Sequence, residues 1–388
     1  MRVMISCGEP SGDLYAGALA SQILQLDPSA VITGFGGDRL AAAGATLVEN
    51  FSGLSVTGLL EVVRLLPRTY ATYKRLLADA DAIRPDVFVA IDFPDFNFTL
   101  ARAMKKRGIP VVYYISPQLW AWRAGRMKTM QRVVDRVLVI FPFEEQIYRD
   151  AGVPVEWVGH PLFDVLPPPQ PRGVFLQAHG VDPAKPVLAL LPGSRANELR
   201  EILPNLAKAL PAISERVPGV QVVVARAPHL PHDLFAPLAG VERAGIRLAM
   251  IDGRADDVLA AADAAVVASG TVTVQAALHE CPMVVVYRLS PVTYRVGKPF
   301  VRVDTYAMAN LVAGRRIVPE LIQDQFTPQA VAQEAVRLLA DPAHAAKVRA
   351  DLREVRGKLG GPGASRRAAD VVLAVGRGAA HGTQLDYY

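Results

Sequence analysis

Residues 3–13 read VMISCGEPSGD, a short apolar run that passes directly into a glycine-rich turn. A continuous apolar run of this length is typical of a strand covered on both faces, and the turn after it can open a helix. The pattern recurs along the chain, at residues 31–35, 87–91, 111–115, 137–140, 187–191, 220–224, 264–267 and 284–287. This order predicts an α/β fold of βαβ units with parallel, doubly wound sheets.

A proline-rich stretch divides this pattern into two halves. Residues 167–171 read PPPQP, which can continue neither a helix nor a central strand and forms a stiff linker. We predict Rossmann-like domains over residues 1–166 and 172–327, and helices over 328–375 that pack back on the first domain or on a partner subunit. The two domains are expected to face each other across a cleft. Function is then expected in the loops at the carboxyl ends of the strands.

Composition and charge exclude several classes of protein. The 388 residues are 51% hydrophobic, enough for two cores, and no apolar run reaches the roughly 20 residues of a membrane-spanning helix. The first residues lack a signal-peptide pattern, and the two cysteines, Cys7 and Cys281, have no metal-ligand spacing. We therefore expect a cytoplasmic protein with reduced thiols. A net charge of +5 is too small for a nucleic-acid binder.

The glycine-rich turn after the first strand is a candidate binding loop. It contains Glu9, Ser11, Gly12 and Asp13 and opens a helix. Its backbone N–H groups and the helix dipole can therefore receive an anionic or polar group of a ligand. The alternative is that the glycines only let the chain reverse tightly.

The loop after the third predicted strand carries two carboxylates. Residues 91–97 read IDFPDFN, which places Asp92 and Asp95 between apolar neighbours. One of the two can act as a general base whose basicity is raised by partial burial. Asn97 is expected to cap a helix that starts near Phe98, and Asp92 and Asn97 are also candidates for substrate binding.

Two loops of the second half form a predicted diphosphate clamp. Residues 190–198 read LLPGSRANE, in which Gly193 and Ser194 admit a close backbone approach and Arg195 supplies a forked donor for a phosphate. Residues 268–273 read ASGTVT and again lead into a helix. The hydroxyl and N–H groups of this second loop are expected to face the same ligand. Its candidate residues are Ser269, Gly270, Thr271 and Thr273.

Several other patterns are weaker candidates for chemistry. Asp79 and Asp81 match a metal-binding D-x-D, but they lie in a polar helical stretch that is typical of a solvated face. His229 and His232 have no third ligand in register and are expected at the surface. We predict no metal, no cofactor and no nucleophilic residue.

Two groups of side chains can each be interpreted in two ways. Tryptophans at residues 120 and 122 follow a strand and can stack on a sugar ring or an acyl chain, or pack against the sheet. The stretch 54–77 mixes leucine and valine with arginine and lysine, which suits either a membrane interface or a buried helix.

Taken in order, these loops resemble the lipid-A-disaccharide synthase family, inverting glycosyltransferases of the GT-B fold. The matching stretches are residues 8–13, 91–97, 116–122, 141–144, 158–161, 191–195, 269–271, 282–288, 310–311 and 319–320. The resemblance implies that UDP-2,3-diacylglucosamine is joined to 2,3-diacylglucosamine 1-phosphate, with release of UDP, by a peripheral enzyme on the cytoplasmic face of the inner membrane. It also implies a homodimer with exchanged C-terminal helices.

The same resemblance gives roles to single residues. Asp95 matches the general base, and Glu9, Arg195 and Asn310 match positions important for activity. We hypothesise that Asp95 accepts the proton of the acceptor 6-hydroxyl as this oxygen attacks the anomeric carbon from the face opposite UDP. Arg195 and the two loops of the clamp would neutralise the departing diphosphate.

One position departs from the family pattern. Where the resemblance implies a Glu that binds the ribose hydroxyls, this chain has Gln275, whose amide can still accept and donate hydrogen bonds. We expect Tyr287 to lie near the uridine of the donor.

Rival functions remain at this point. They are a UDP-N-acetylglucosamine 2-epimerase, another GT-B transferase of UDP-sugars, and a non-catalytic nucleotide-sugar-binding module that would be indifferent to loss of Asp95.

Overall fold

The computed structural model describes residues 1–51, 59–119, 124–243, 245–289 and 305–378. The chain divides into two units, Met1–Val165 with Leu359–Tyr388, and Leu166–Lys358. The division at Val165 lies close to the predicted boundary. Residues 328–358 belong to the second unit, and the last helix packs on the first.

The first unit is built on a sheet of seven parallel strands. They are β1 Arg2–Cys7, β2 Val31–Gly36, β3 Thr46–Asn50, β4 Val87–Ile91, β5 Val111–Tyr114, β6 Arg136–Val139 and β7 Val155–Trp157. The order across the sheet is β3-β2-β1-β4-β5-β6-β7. The strand order therefore reverses between β1 and β4, and ligands of such sheets bind outside the carboxyl ends of the strands at this point.

Helices connect these strands and cover the sheet. They are α1 Pro10–Leu26, α2 Asp38–Ala42, α3 Leu59–Ile83, α4 Pro94–Lys106, α5 Met127–Val133, α6 Pro142–Asp150 and α7 Leu162–Val165, and the late helix α16 Ala364–Gly376. All five residues of β4 are buried, which requires cover on both faces of the sheet. Helix α16 supplies part of this cover, because it packs against α1 and β4.

The second unit repeats the plan with six parallel strands. They are β8 Val187–Leu191, β9 Gln221–Arg226, β10 Leu248–Asp252, β11 Ala264–Ala268, β12 Met283–Tyr287 and β13 Glu320–Ile322. The order β10-β9-β8-β11-β12-β13 reverses between β8 and β11. The helices are α8 Arg172–Ala178, α9 Ala196–Arg216, α10 Ala239–Arg243, α11 Ala255–Ala261, α12 Val272–Leu278, α13 Met308–Ala313, α14 Pro328–Ala340 and α15 Pro342–Lys358.

The predicted α/β class and the parallel sheets are confirmed, and each predicted apolar run forms a strand. The strands that the sequence did not predict are β3, β7, β10 and β13. These four are the edges of the two sheets, and their residues are mostly only partly buried. Edge strands need no continuous apolar run, because one side of each faces away from the core.

Some predictions lie outside the described residues. These include the tryptophans at 120 and 122, and part of the 54–77 stretch, since residues 52–58 and the side chains of 59–66 are not described. Residues 59–77 belong to helix α3. Among the described residues, no helix is both long and apolar enough to cross a bilayer.

Candidate active site

The two candidate loops of the first unit meet where the strand order reverses. One follows β1 and contains Gly8 and Glu9, and the other follows β4 and contains Asp92 and Phe93. A Cβ on Gly8 would lie 2.4 Å from the ring of Phe93. The two loops therefore contact each other, and Gly8 permits the contact because it has no side chain.

Asn97 ties these loops together. It is fully buried, and its side-chain oxygen accepts a hydrogen bond from Ser6 Oγ at 2.6 Å. Its Nδ2 donates to the carbonyls of Ser6 and Ile91, both at 3.2 Å, and of Asp92 at 2.8 Å. The predicted capping role is wrong, because α4 begins earlier, at Pro94, and Asn97 lies inside its first turn. Asn97 instead fixes the end of β1 against the loop after β4.

The loop after β4 has an unusual backbone. Asp92 and Phe93 are consecutive non-glycine residues with positive φ angles, 42° and 49°. Such residues are rare and persist only where their surroundings enforce the conformation. Here the Tyr113 hydroxyl also donates to the carbonyl of Asp92, at 2.8 Å. Burial raises the pKa of Tyr113 well above its usual value, so this hydroxyl stays protonated as a donor.

Asp95 lies in the first turn of α4, beyond this rigid loop. Its side chain is 74% exposed, which corrects the predicted partial burial. Its carboxylate pairs with Arg126, whose guanidinium also lies 5.9 Å from the centre of the Phe98 ring. Arg126 received no role from the sequence. Nothing in its spacing could link it to Asp95, because the two meet through tertiary structure.

The glycine-rich turn after β1 divides into outer and inner residues. Glu9 is the N-cap of α1 and is partly exposed, and Ser11 is exposed. Asp13 is buried, and its carboxylate accepts from the backbone N–H groups of Gly37, Arg39 and Leu40 at 2.7, 2.9 and 3.2 Å. Asp13 therefore holds the turn before α2, whereas Glu9 and Ser11 face outward.

In the second unit, the loop after β8 carries its own carboxylate. Gly193 has a φ of 120°, and Glu198 reaches back along the first turn of α9. Glu198 accepts from the Ser194 N–H at 3.2 Å and from Arg195 Nη1 at 3.0 Å. Burial first, and then the charge of Glu198, raises the pKa of Tyr287. The predicted residues Tyr287 and Arg195 thus share one neighbourhood.

The loop after β11 uses two of its hydroxyls internally. Ser269 Oγ donates to the carbonyl of Tyr306 at 3.1 Å, and Thr273 Oγ1 donates to the carbonyl of Gly270 at 2.8 Å. This differs from the expectation that these hydroxyls face a ligand. Gly270 and Thr271 are exposed at the tip of the loop, beside the loop after β8, because β8 and β11 are neighbours in the sheet.

Comparison with known proteins identifies the chain. The family model described as lipid-A-disaccharide synthetase matches residues 3–375. The chain belongs to the lipid-A-disaccharide synthase family. A relative with that name from Geobacter metallireducens is 44% identical over 375 residues, which is 96% of each chain.

Solved structures agree on the fold. UDP-GlcNAc 2-epimerase from Neisseria meningitidis has a TM-score of 0.65 at 14% identity, with 96% of this chain and 100% of that chain covered. The calicheamicin glycosyltransferase has a TM-score of 0.59 at 18% identity, with coverages of 96% and 98%. The chain is therefore a lipid-A-disaccharide synthase family member with the two Rossmann-like domains of the GT-B fold.

Gln275, which stands where the resemblance implies a Glu, has a partner within the second unit. Gln275 Nε2 lies 3.3 and 3.1 Å from the two carboxylate oxygens of Asp256, and His279 Nε2 lies 3.0 Å from one of them. A Glu at this position would place two carboxylates side by side, which is unfavourable. The amide of Gln275 is thus matched to Asp256.

Asn310, which matches a position important for activity by resemblance, is buried, and its side-chain amide is fully hydrogen-bonded. Its oxygen accepts from the N–H groups of Ile317 and Val318 at 2.7 and 3.0 Å. Its Nδ2 donates to the Val318 carbonyl at 2.9 Å and to Glu320 at 2.7 Å. These contacts use the whole hydrogen-bonding capacity of the amide, so Asn310 shapes the protein around it.

His160, in the matched stretch 158–161, received no role from the sequence. It is buried, and its ring lies edge-on to Tyr15 and Phe141, with centroid distances of 6.3 and 5.3 Å. Its Nδ1 accepts from the Leu162 N–H at 3.2 Å. Burial lowers the pKa of His160 to about 3, so the ring is neutral at pH 7.

Residues set aside as metal ligands have other contacts. Asp81 pairs with Arg107 at 2.7 Å, and Asp79 accepts from Thr33 at 2.9 Å. His229 is exposed, as predicted, and its Nε2 lies 3.0 Å from the Ser194 carbonyl. Within the described part of the chain, no three His, Cys, Asp or Glu side chains are grouped so that they could hold a metal ion.

Proposed function

We propose that this chain joins UDP-2,3-diacylglucosamine to 2,3-diacylglucosamine 1-phosphate, giving lipid A disaccharide 1-phosphate and UDP. The observation that carries the proposal is the match to one family over residues 3–375, together with a relative of the same name at 44% identity. Four of the stretches that carry the resemblance, residues 8–13, 91–97, 191–195 and 269–271, lie where the strand order of each sheet reverses. This is where α/β sheets bind ligands.

The first unit would act on the acceptor. Asp95 would accept the proton of the acceptor 6-hydroxyl as its oxygen attacks the anomeric carbon, with inversion. The exposure of Asp95 leaves its carboxylate within reach of a substrate, and Asn97 and Tyr113 fix the preceding backbone. Glu9 and Ser11 would bind polar groups of the acceptor, while Gly12 and Asp13 would maintain the loop.

The second unit would bind the donor. Arg195, with the backbone of Gly193 and Ser194, would neutralise charge on the departing diphosphate, and exposed N–H groups at Gly270 and Thr271 would assist. Half of the Arg195 side chain is exposed, which puts its guanidinium within reach of a phosphate. The hydroxyls of Ser269 and Thr273 would act by holding the loop. Gln275 and Tyr287 would lie near the ribose and the uracil.

Peripheral membrane binding and dimerisation belong to the same proposal. Acyl chains hold both substrates in a bilayer, so the enzyme has to reach its surface. Arg102, Lys105, Lys106 and Arg107 at the end of α4 form a basic cluster suited to anionic lipid headgroups. A homodimer that exchanges C-terminal helices is part of the proposal, and α16, packed here on the first unit of its own chain, would be the exchanged element.

The test is UDP release by wild type and Asp95→Asn, given donor and acceptor together and separately in mixed micelles. We expect acceptor-dependent UDP and a new disaccharide from wild type. A loss of about a hundredfold or more in the variant is typical of a missing general base. Asp86→Asn is the matched control, since its carboxylate binds Arg2 at the opposite end of the sheet.

The outcomes separate the rivals. Full activity in Asp95→Asn would remove Asp95 as the base without affecting the reaction. Conversion of UDP-N-acetylglucosamine to its 2-epimer, with no glycosidic bond formed, would replace the transferase with the epimerase. Tight UDP binding with no turnover of any tested substrate would support a binding module.

A further inference from the structure

A partly buried carboxylate in the second unit joins the backbone of residues 306–307 to the side chain of Asn310. Glu320, the first residue of β13, accepts from the N–H groups of Tyr306 and Ala307 at 2.8 and 3.1 Å. It also accepts from Asn310 Nδ2 at 2.7 Å. Three hydrogen bonds to one partly buried carboxylate form a rigid junction, because charged acceptors make the stronger hydrogen bonds in proteins.

The junction leads directly to the loop after β11. The carbonyl of Tyr306 accepts the hydroxyl of Ser269 at 3.1 Å, so one peptide segment is held by Glu320 through its N–H and by Ser269 through its C=O. Ser269 immediately precedes the exposed residues Gly270 and Thr271. Gly270 has a φ of 151°, and a Cβ there would meet no atom of the described residues within 4 Å. The tip is held by hydrogen bonds on both sides, through the Ser269 hydroxyl before Gly270 and through Thr273 after it, whose Oγ1 and N–H donate to the Gly270 carbonyl at 2.8 and 3.1 Å.

We propose that Glu320 is a positioning residue for donor binding, acting through the Tyr306 peptide and Ser269 on the N–H groups at Gly270 and Thr271. The inference rests on the proposed function, because it assumes that this loop binds the diphosphate of a UDP-sugar. It also gives a structural basis for the role in activity that the resemblance implies for Asn310. Asn310 orients Glu320, and Glu320 orients the loop.

The effect should appear in binding more than in chemistry. In Glu320→Gln, one oxygen becomes an NH₂ group that faces backbone or amide donors, so at least one of the three hydrogen bonds is lost. The loop then samples positions in which its N–H groups miss the diphosphate. We expect the Kd for UDP and the KM for the donor to rise about tenfold, a loss typical of one charged hydrogen bond. The acceptor KM should stay within about twofold.

The decisive measurement is a double-mutant cycle on UDP affinity by calorimetry, with full-length wild type, Glu320→Gln, Ser269→Ala and the double variant. If Glu320 acts through Ser269, the double variant binds UDP no more weakly than the worse single variant, because both changes break one linkage. Multiplying losses would show two independent effects and would overturn the proposal.

Controls separate positioning from loss of folding. Glu354→Gln removes a carboxylate of the same unit that pairs with Arg315 and Lys358 on its surface, and should bind UDP like wild type. A Glu320→Gln protein with a lower Tm but wild-type UDP affinity would show a purely structural role and refute the inference. If wild type itself fails to bind UDP, the proposed function fails first, and that outcome is distinct.

Discussion

The two strand-order reversals are shaped by different means. In the first unit, the loop after β4 places non-glycine residues Asp92 and Phe93 at positive φ, and the buried side chain of Asn97 enforces this. In the second unit, glycines take the unusual conformations, with φ angles of 120° at Gly193 and 151° at Gly270. Glycine adopts such angles without strain, whereas other residues need support from their neighbours.

Because of this difference, substitutions in the two loop regions should have different effects. The first depends on a few buried side-chain hydrogen bonds, so its shape and the stability of the unit should be lost together. The second depends on backbone freedom and on partly exposed polar contacts such as Glu198 with Arg195. Changes there should alter ligand affinity while the fold survives.

The largest effect should come from Asn97→Leu, which fills the space but removes the hydrogen bonds to Ser6 Oγ and to the carbonyls of Ser6, Ile91 and Asp92. We expect a loss of about 3 kcal/mol in the free energy of unfolding of the first unit. Native-state hydrogen exchange at β1 and β4 amides would measure it for this unit alone. The control is Asn205→Ala in the other unit, which removes the hydrogen bond that Asn205 Nδ2 donates to the Phe326 carbonyl at 2.7 Å. Equal losses would contradict the contrast.

The next effect is acid sensitivity of the first unit through His160. Its pKa is about 3 when folded and 6.5 when exposed, so below pH 6.5 only the unfolded chain takes up the proton. Stability is full above pH 6.5 and falls as the pH drops towards 3. Between pH 7 and pH 5 we expect a loss of about 2 kcal/mol from this group.

Urea unfolding of wild type and His160→Asn at both pH values would measure the difference. The variant should lose less stability on acidification, while His232→Asn, at an exposed position, should behave like wild type. Parallel losses in wild type and His160→Asn would show that His160 is not the cause.

A smaller effect is expected for Gly193→Ala. An alanine here would have a strained φ of 120°. Its Cβ would lie 2.5 Å from Glu198 Oε2, which distorts the loop. We expect about tenfold weaker UDP binding with little change in Tm, as strain of 1 to 2 kcal/mol implies. Gly173→Ala, a helical position in the same unit with open space around it, is the control. A large fall in Tm with unchanged affinity would reverse the expected contrast.

The smallest effect should be that of Glu198→Gln. The Glu198 carboxylate accepts hydrogen bonds from the Ser194 N–H and from Arg195 Nη1. Its negative charge also repels an incoming diphosphate. Half of the Arg195 side chain is exposed, so solvent screens much of this repulsion, and we expect UDP to bind only about threefold more tightly. Weaker binding would instead show that Glu198 orients Arg195 for the ligand.

The sequence predicted the centre of each sheet and the loops at its reversal point, because buried parallel strands are continuous apolar runs. It did not predict β3 or β13, whose partly exposed edges need no such run. The role of Asn97 could not be predicted either, because its partner Ser6 lies 91 residues away in sequence. Likewise, the pairing of Asp95 with Arg126 depends on how α4 meets the turn before α5.

Helix α16 has a consequence for synthesis of the protein. It carries buried residues such as Ala368 and Leu373 against the first unit, and Asp164 accepts the N–H groups of Gly363 and Ser365 at 2.6 and 2.7 Å to fix its start. A ribosome makes this helix only after the entire second unit. The first unit therefore emerges early with one flank of its sheet uncovered and acquires its last layer late. During translation, this flank is the apolar surface that a chaperone would need to shield.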